Sequence, residues 1–169
     1  THKQVLKKDL FDSKVYVLCG DGDLMEGISY EAASLAGTLS LNNLIVLYDS
    51  NKVSLDGKTD ITFTEDVIKR FEAMGWYTLE VKNGDSVQAI DKAIIKAKKQ
   101  KKPTFIKINT KIGKDSLLEN TNTVHGKPLT EEDIKQLKAK LKVPNEKFYY
   151  DQKARNYFRN KIMERSTDK

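Results

Sequence analysis

The sequence holds one cysteine, Cys19, three prolines, one tryptophan and two histidines in 169 residues. A lone cysteine excludes an internal disulfide framework, and so few thiols and imidazoles exclude a Cys/His zinc cluster. Cys19 ends an apolar run and reads as a buried structural thiol. No apolar stretch approaches the roughly 18 residues that a membrane-spanning helix needs, and the first residues lack the apolar core of a signal peptide. These absences lead to the expectation of no membrane partner and a reducing cytoplasm. Three prolines, Pro103, Pro128 and Pro144, leave long stretches in which helices and strands can run uninterrupted.

Hydrophobic residues make up 38% of the chain and charged residues 32%, ordinary proportions for a globular domain with one sizeable core. The net charge is +6, which raises the question of nucleic acid. The basic residues gather in Lys92–Lys102 and from Lys135 onward, interleaved with acids along amphipathic helices. That is the pattern of solvated helix faces. There is no recognition helix and no aromatic-basic strand motif to read bases, so no nucleic-acid partner is expected.

What the chain does have is concentrated in residues 15–57. An apolar run, Val15 to Cys19, ends in Gly20-Asp21-Gly22. A helical segment follows, and a second apolar run, Leu44 to Tyr48, ends in Asp49-Ser50-Asn51. Two short buried-type strands around one helix predict a βαβ unit with parallel strands. Such a unit delivers both C-terminal strand ends to one sheet edge, where ligands bind. Asp21 and Asn51 are thirty positions apart and are expected side by side there. Gly20 and Gly22 allow backbone to approach a phosphate closely, and a helix starting near Gly27 offers free N–H groups to an anion. Asp21 and Asn51 supply hard oxygen ligands. Two such groups, completed by phosphate oxygens and water, suit magnesium.

Further along, residues 28–39 predict a helix whose face of Ala32, Ala33, Leu35, Ala36 and Leu39 lies against the sheet, with Gly37 permitting a close backbone approach. Glu26 and Glu31 sit at its start, where negative charge complements the helix dipole. Asp56-Gly57 marks a turn. Thr64 is expected to cap a helix burying Val67, Ile68 and Phe71 and stopping at Gly75. A strand over 76–81, a helix from Asp85 or Ser86, and a strand over 104–108 continue the alternation. The whole reads as a doubly wound parallel α/β sheet flanked by helices. A long polar loop over 109–128 carries His125, and loops of that length are commonly functional. Thr130 with Asp133 resembles a capping box for a helix expected to bury Leu129, Ile134, Leu137 and Leu141. A last helix, roughly 145–164, presents Phe148, Tyr149, Tyr157, Phe158 and Ile162 for packing.

The motifs GDG-x-LMEG-x-S-x-EA-x-SLAG and LNNLIVLYD-x-N-x-VS-x-DG resemble the diphosphate-binding domain of transketolases, which use thiamine diphosphate. TVHGKPL, whose His125 lies twelve positions after Gly113 of Ile112-Gly113, continues the resemblance. It implies thiamine diphosphate with Mg2+, for which Ca2+ can substitute. Gly20, Asp21, Gly22 and Asp23 would face the diphosphate. Asp21, Asn51 and the backbone carbonyl of Val53 would hold the metal. Ile112 would pack near the thiazolium ring, and His125 would reach the diphosphate and the donor sugar. Glu26 and Glu31 would form an acidic proton network between two cofactors across a homodimer. The implied reaction moves a two-carbon ketol unit from a ketose phosphate to an aldose phosphate. Asp115 departs from the pattern, since many relatives carry glycine there.

By the same resemblance, residues 1–14 are the remnant of a preceding helix and 15–143 the diphosphate- and Mg-binding domain. Residues 144–169 lead toward a pyrimidine-binding domain outside this sequence, so the chain alone is expected to turn over little or not at all. Other thiamine diphosphate enzymes share parts of this pattern. Dihydroxyacetone synthase shares most of it, and deoxyxylulose phosphate synthase is disfavoured by LMEG and VHG. A split transketolase subunit is disfavoured by the missing N-terminal histidines. A non-catalytic interaction module of the same fold has no need of Asp21, Asn51 and His125.

Overall fold

A computed structural model describes residues 13–167; most of the expected N-terminal helix remnant lies outside that range. Four parallel strands form the sheet: β1 (Val15–Gly20), β2 (Leu44–Ser50), β3 (Tyr77–Val81) and β4 (Thr104–Asn109), in the order β1-β2-β4-β3. Between them run α1 (Asp21–Met25), α2 (Gly27–Thr38), α3 (Val67–Ala73) and α4 (Val87–Ala97). The parallel α/β sheet flanked by helices is the fold the sequence predicts.

The two central strands obey the period-2 rule and feed two cores. Val46, Tyr48 and Phe105 face one side, with Leu24, Ala33, Ala36, Val67, Phe71 and Trp76 from the helices and their flanks. Ile45, Ile106 and Ile108 face the other, with Val81 and Ala97 and the partly buried Ile90 and Ile94 of α4. Alternate residues of a strand point to opposite faces, so helices on both sides let β2 and β4 be mainly apolar on both faces. Phe105 stacks on Phe71 at 3.8 Å between centroids, and Trp76 meets Phe71 edge-on at 5.1 Å.

Several expectations are corrected. The residues of β1 are not buried: Val15 to Leu18 on this edge strand are 40–75% exposed. Of the expected apolar face of α2, Ala33 and Ala36 are buried, whereas Leu35 and Leu39 are exposed. Cys19 is only half-buried. The α3 cap is Asp66 rather than Thr64. Its carboxylate accepts from Lys69 N–H at 3.2 Å, which starts the helix two residues late. Gly75 ends that segment at φ +84°, as a left-handed C-terminal glycine does. Ser86 caps α4 through Ala89 N–H.

Contacts divide the described chain into two units. One comprises the residues up to Lys114 with Leu118–Lys127, the other Asp115–Leu117 with the chain from Pro128 onward. In the second unit, α5 (Glu131–Lys140) begins with a complete Thr130/Asp133 capping box, and α6 (Gln152–Thr167) follows. Its buried residue is Asp133, held by the cap, while Ile134 and Leu141 are exposed. Phe148, Tyr149, Tyr157, Phe158 and Ile162 are exposed as well, so the expected packing of the last helix is not made among the described residues. No helix among the described residues is long and apolar enough to cross a membrane.

Candidate functional site

The C-terminal ends of β1, β2 and β4 come together at one edge. There a cleft of about 1060 Å3 is lined by Asp21, Tyr48, Ser50, Asn51, Lys52, Asn109 and Thr110, among others. Asp21 opens α1 directly after β1 and is 4% exposed. Both of its oxygens are held: Tyr48 donates its hydroxyl to Oδ1 at 2.5 Å, and the Lys52 backbone N–H donates to Oδ2 at 3.0 Å. Lys52 makes that bond from a left-handed conformation, φ +60°. The next residue, Val53, donates its N–H to Asn51 Oδ1 at 2.9 Å. The loop is closed by Ser54 N–H to Gly57 C=O at 2.7 Å and Thr59 N–H to Lys52 C=O at 3.1 Å, two bonds that leave the Val53 carbonyl out. The β2 end is tied to the β4 end by the Thr110 hydroxyl, which donates to Asp49.

Neither Gly20 nor Gly22 adopts positive φ. Asp23 folds back to accept from the Gly20 N–H at 2.8 Å, so its carboxylate caps α1. A Cβ at Gly22 would meet no described atom within 4 Å. Any need for glycine there comes from outside the described fold. The expected helix does start at Gly27, as α2, and a short helix that the sequence did not predict, α1, stands between it and β1, with Glu26 as the α2 N-cap. Glu26 and Glu31 are both exposed.

Local electrostatics at this edge are negative. The Cys19 thiol is pushed up to about 12 by burial and by Asp23, Asp21 and Asp49. The Tyr48 phenol is pushed upward by burial first and by its bond to Asp21 second, with Ser50 pulling the other way. Tyr48 therefore remains an O–H donor at neutral pH.

His125 closes a single turn, Asn122–Val124, with its N–H donating to Asn122 C=O at 3.0 Å. Asn122 Nδ2 in turn reaches the Leu55 carbonyl at 3.4 Å, joining the His125 turn to the loop after Asn51. His125 Nδ1 is buried without a partner. His125 and Ile112 do not line the cleft that contains Asp21 and Asn51. Asp115 is left-handed, φ +66°, and its carboxylate pairs with Lys140 at 2.8 Å. A glycine suits that conformation, and aspartate is among the residues that tolerate it.

The sequence reading missed Tyr48 as part of the site. The signal was present: alternation along β2 puts Tyr48 on the face of Val46, and register sets it beside Cys19, two residues before Asp21. A buried phenol needs an acceptor. The short α1 and the left-handed Lys52 gave no comparable signal.

Oxygen ligands are what this edge offers. Among the described residues no group of three or more His, Cys, Asp or Glu could hold a metal ion. Asp21, Asn51 and the Val53 carbonyl each offer an oxygen donor of the hard type. Each oxygen has capacity for a further partner. Such donors fit a cation that also takes phosphate oxygens and water.

Residues 3–169 match the family model described as transketolase, thiamine diphosphate binding domain. Transketolase of Aquifex aeolicus is 48% identical over 155 residues, 92% of this chain and 22% of the relative. Transketolase 1 of Saccharomyces cerevisiae is 49% identical over 157 residues, 91% of this chain and 23% of the relative. The solved transketolase of Leishmania mexicana superposes with a TM-score of 0.88 at 46% identity, covering 93% of this chain and 24% of that one. A Pichia stipitis transketolase solved with sedoheptulose 7-phosphate gives 0.89 at 46% identity, covering 92% and 24%. The chain thus spans about a quarter of the length of these relatives, and it belongs to the transketolase thiamine diphosphate-binding domain family.

Proposed function

We propose that this chain is the diphosphate- and metal-holding part of a transketolase. The observation that carries the reading is Asp21. It is a carboxylate 4% exposed, held by a phenol and a backbone N–H, and no Lys or Arg among the described residues pairs with it. Buried carboxylates are normally paired or coordinate a metal. A divalent cation, Mg2+ or in its place Ca2+, supplies the missing charge, held by Asp21, Asn51 and the carbonyl of Val53. The open space beside Gly22 takes the diphosphate, with Gly20 and Asp23 completing the turn that presents it.

Thiamine diphosphate, when bound, supplies the chemistry that breaks a C–C bond and carries a two-carbon unit. The residues of this chain hold and orient. Asp21 and Asn51 fix the cation and through it the diphosphate. Ile112 provides apolar contact for the ring. His125 binds phosphate or moves a proton at the sugar oxygens. Glu26 and Glu31, exposed on this chain, meet a second subunit in a homodimer. Sugar phosphates are the substrates of the whole enzyme, in the cytoplasm. Because the chain spans a quarter of its relatives, it turns over little or nothing alone.

The test is a calorimetric titration of the chain with thiamine diphosphate, with and without Mg2+, alongside Asp21→Ala. Metal-dependent binding lost in the variant supports the reading. Binding that ignores both metal and Asp21 overturns it, and ketol transfer by the unaccompanied chain overturns the expectation of inactivity.

A further inference from the structure

From this geometry we infer that Tyr48 is a positioning residue: its hydroxyl sets the orientation in which the Asp21 carboxylate meets a divalent cation. The inference rests on reading this edge as a cation and diphosphate site.

Aspartate's terminal torsion is broad and roughly two-fold, so an unrestrained carboxylate presents either oxygen over a wide arc. Asp21 is restrained at both oxygens by donors from one stretch of chain, Tyr48 at Oδ1 and Lys52 N–H at Oδ2. Two donors on different oxygens stop the rotation and leave each oxygen room for a further partner. The Tyr48 ring is 3% exposed and lies 5.7 Å from Phe105, in the layer that Phe71 and Trp76 extend. The ring is therefore fixed by packing, and its hydroxyl is a rigid reference point.

A phenylalanine would satisfy that aromatic layer equally well. The strand ends do not need the hydroxyl either, since β1 and β2 are already in register up to Gly20 and Asp49. What the hydroxyl adds is its bond to the Asp21 side chain, with the buried Ser50 as its other polar neighbour. Groups that orient a metal ligand from behind typically change metal affinity by about 10- to 100-fold when removed.

The experiment measures Mn2+ binding to the whole 169-residue chain by electron paramagnetic resonance in the presence of thiamine diphosphate. Wild type, Tyr48→Phe, Asp21→Asn and Trp76→Phe are compared, each with a thermal melt. Trp76→Phe deletes a different buried hydrogen bond, Nε1 to Ala33 C=O, and serves as the purely structural control. Expected is a Mn2+ dissociation constant about 10- to 100-fold weaker for Tyr48→Phe, with Trp76→Phe unchanged and Asp21→Asn abolishing binding. Wild-type affinity in Tyr48→Phe while Asp21→Asn fails to bind overturns the positioning role and leaves the site reading intact. Equal weakening in Tyr48→Phe and Trp76→Phe makes the hydroxyl merely structural and also overturns it. Identical Mn2+ binding, or none, in wild type and Asp21→Asn overturns the site reading and the inference with it.

Discussion

A Cβ added to Gly37 would stand 1.8 Å from the carbonyl oxygen of Met74. The α2 backbone thus lies directly against the turn that leads into β3. This contact sets where Trp76 enters the core, because its indole N–H donates to Ala33 C=O one helical turn earlier at 2.8 Å.

Gly37→Ala tests that contact, and two effects oppose each other. Alanine in a helix interior is better than glycine by about 1 kcal/mol. Overpacking against backbone, which cannot swing away as a flexible side chain can, costs typically about 1–3 kcal/mol and occasionally more. We predict that the clash wins and that urea denaturation shows a net loss of at least about 1 kcal/mol. A variant as stable as wild type would mean that α2 can lift from Met74 freely.

Trp76 is the only tryptophan, 5% exposed, so its fluorescence reports this junction alone. Trp76→Phe removes one buried hydrogen bond, worth about 1 kcal/mol, and shrinks a side chain in the aromatic layer. The Ala33 carbonyl keeps its helical partner position and is not orphaned by the change. The predicted loss is about 1–3 kcal/mol, read from the urea midpoint by circular dichroism. A loss below about 0.5 kcal/mol would place the indole outside the cooperative core.

Much of this architecture was legible in the sequence because it rests on local rules. Apolar runs at β2 and β4, the Ser86 and Thr130 caps and the stop at Gly75 each follow from a side chain's own chemistry. Asp21 and Asn51 could be brought to one edge because parallel strands leave no other place for their C-terminal ends. Exposure was not legible. Val15–Leu18 and Phe148 look like core residues, but burial depends on what stands opposite. Sequence pattern reports apolarity and says nothing of the neighbour. Alternation did place Tyr48 on a buried face, but which acceptor its hydroxyl meets, 27 positions away in the sequence, follows only from the strand register.

Lys52 is left-handed at φ +60°, a conformation costing a non-glycine residue roughly 1–2 kcal/mol. Its backbone N–H, rather than its side chain, holds Asp21. Lys52→Gly relieves the backbone and keeps the bond, while glycine loses about 0.5–1 kcal/mol through greater freedom when unfolded. The predicted net effect is between no change and a gain of about 1 kcal/mol, with metal-dependent cofactor binding retained. Loss of binding would assign the ammonium group a role in the site.

Tyr30 joins α2 to the start of α3: its hydroxyl donates to Glu65 at 2.9 Å, and Glu65 also pairs with Arg70. Partial burial, then the bond to Glu65, push the phenol from its ordinary 10 up to about 12. The folded state thus holds this proton at pH values where the unfolded chain releases it. Stability from this group is complete below pH 10 and declines as pH rises from there toward about 12. Tyr30→Phe should flatten that part of the stability profile, measured as the urea midpoint against pH. An unchanged slope would mean that the phenol titrates alike in both states.

His125 separates a structural role from a role in the site. Its Nδ1 is buried with no partner, and an unsatisfied polar atom of that kind costs about 1–3 kcal/mol. Replacing the imidazole by a side chain without that atom removes the cost and forfeits some packing. The two terms nearly cancel. We therefore predict that His125→Ala changes the unfolding free energy by less than about 1 kcal/mol. If the imidazole serves the cofactor, thiamine diphosphate affinity should nonetheless fall about tenfold, equivalent to roughly 1.4 kcal/mol. The hydrogen bond that joins this turn to the loop after Asn51 runs from Asn122 to Leu55 and is untouched by the substitution, so a loss of affinity without a loss of stability does not point to collapse of that loop. Titration calorimetry and denaturation on the same sample decide it. Unaltered affinity removes His125 from the site, and parallel losses in both measurements reduce it to a loop anchor.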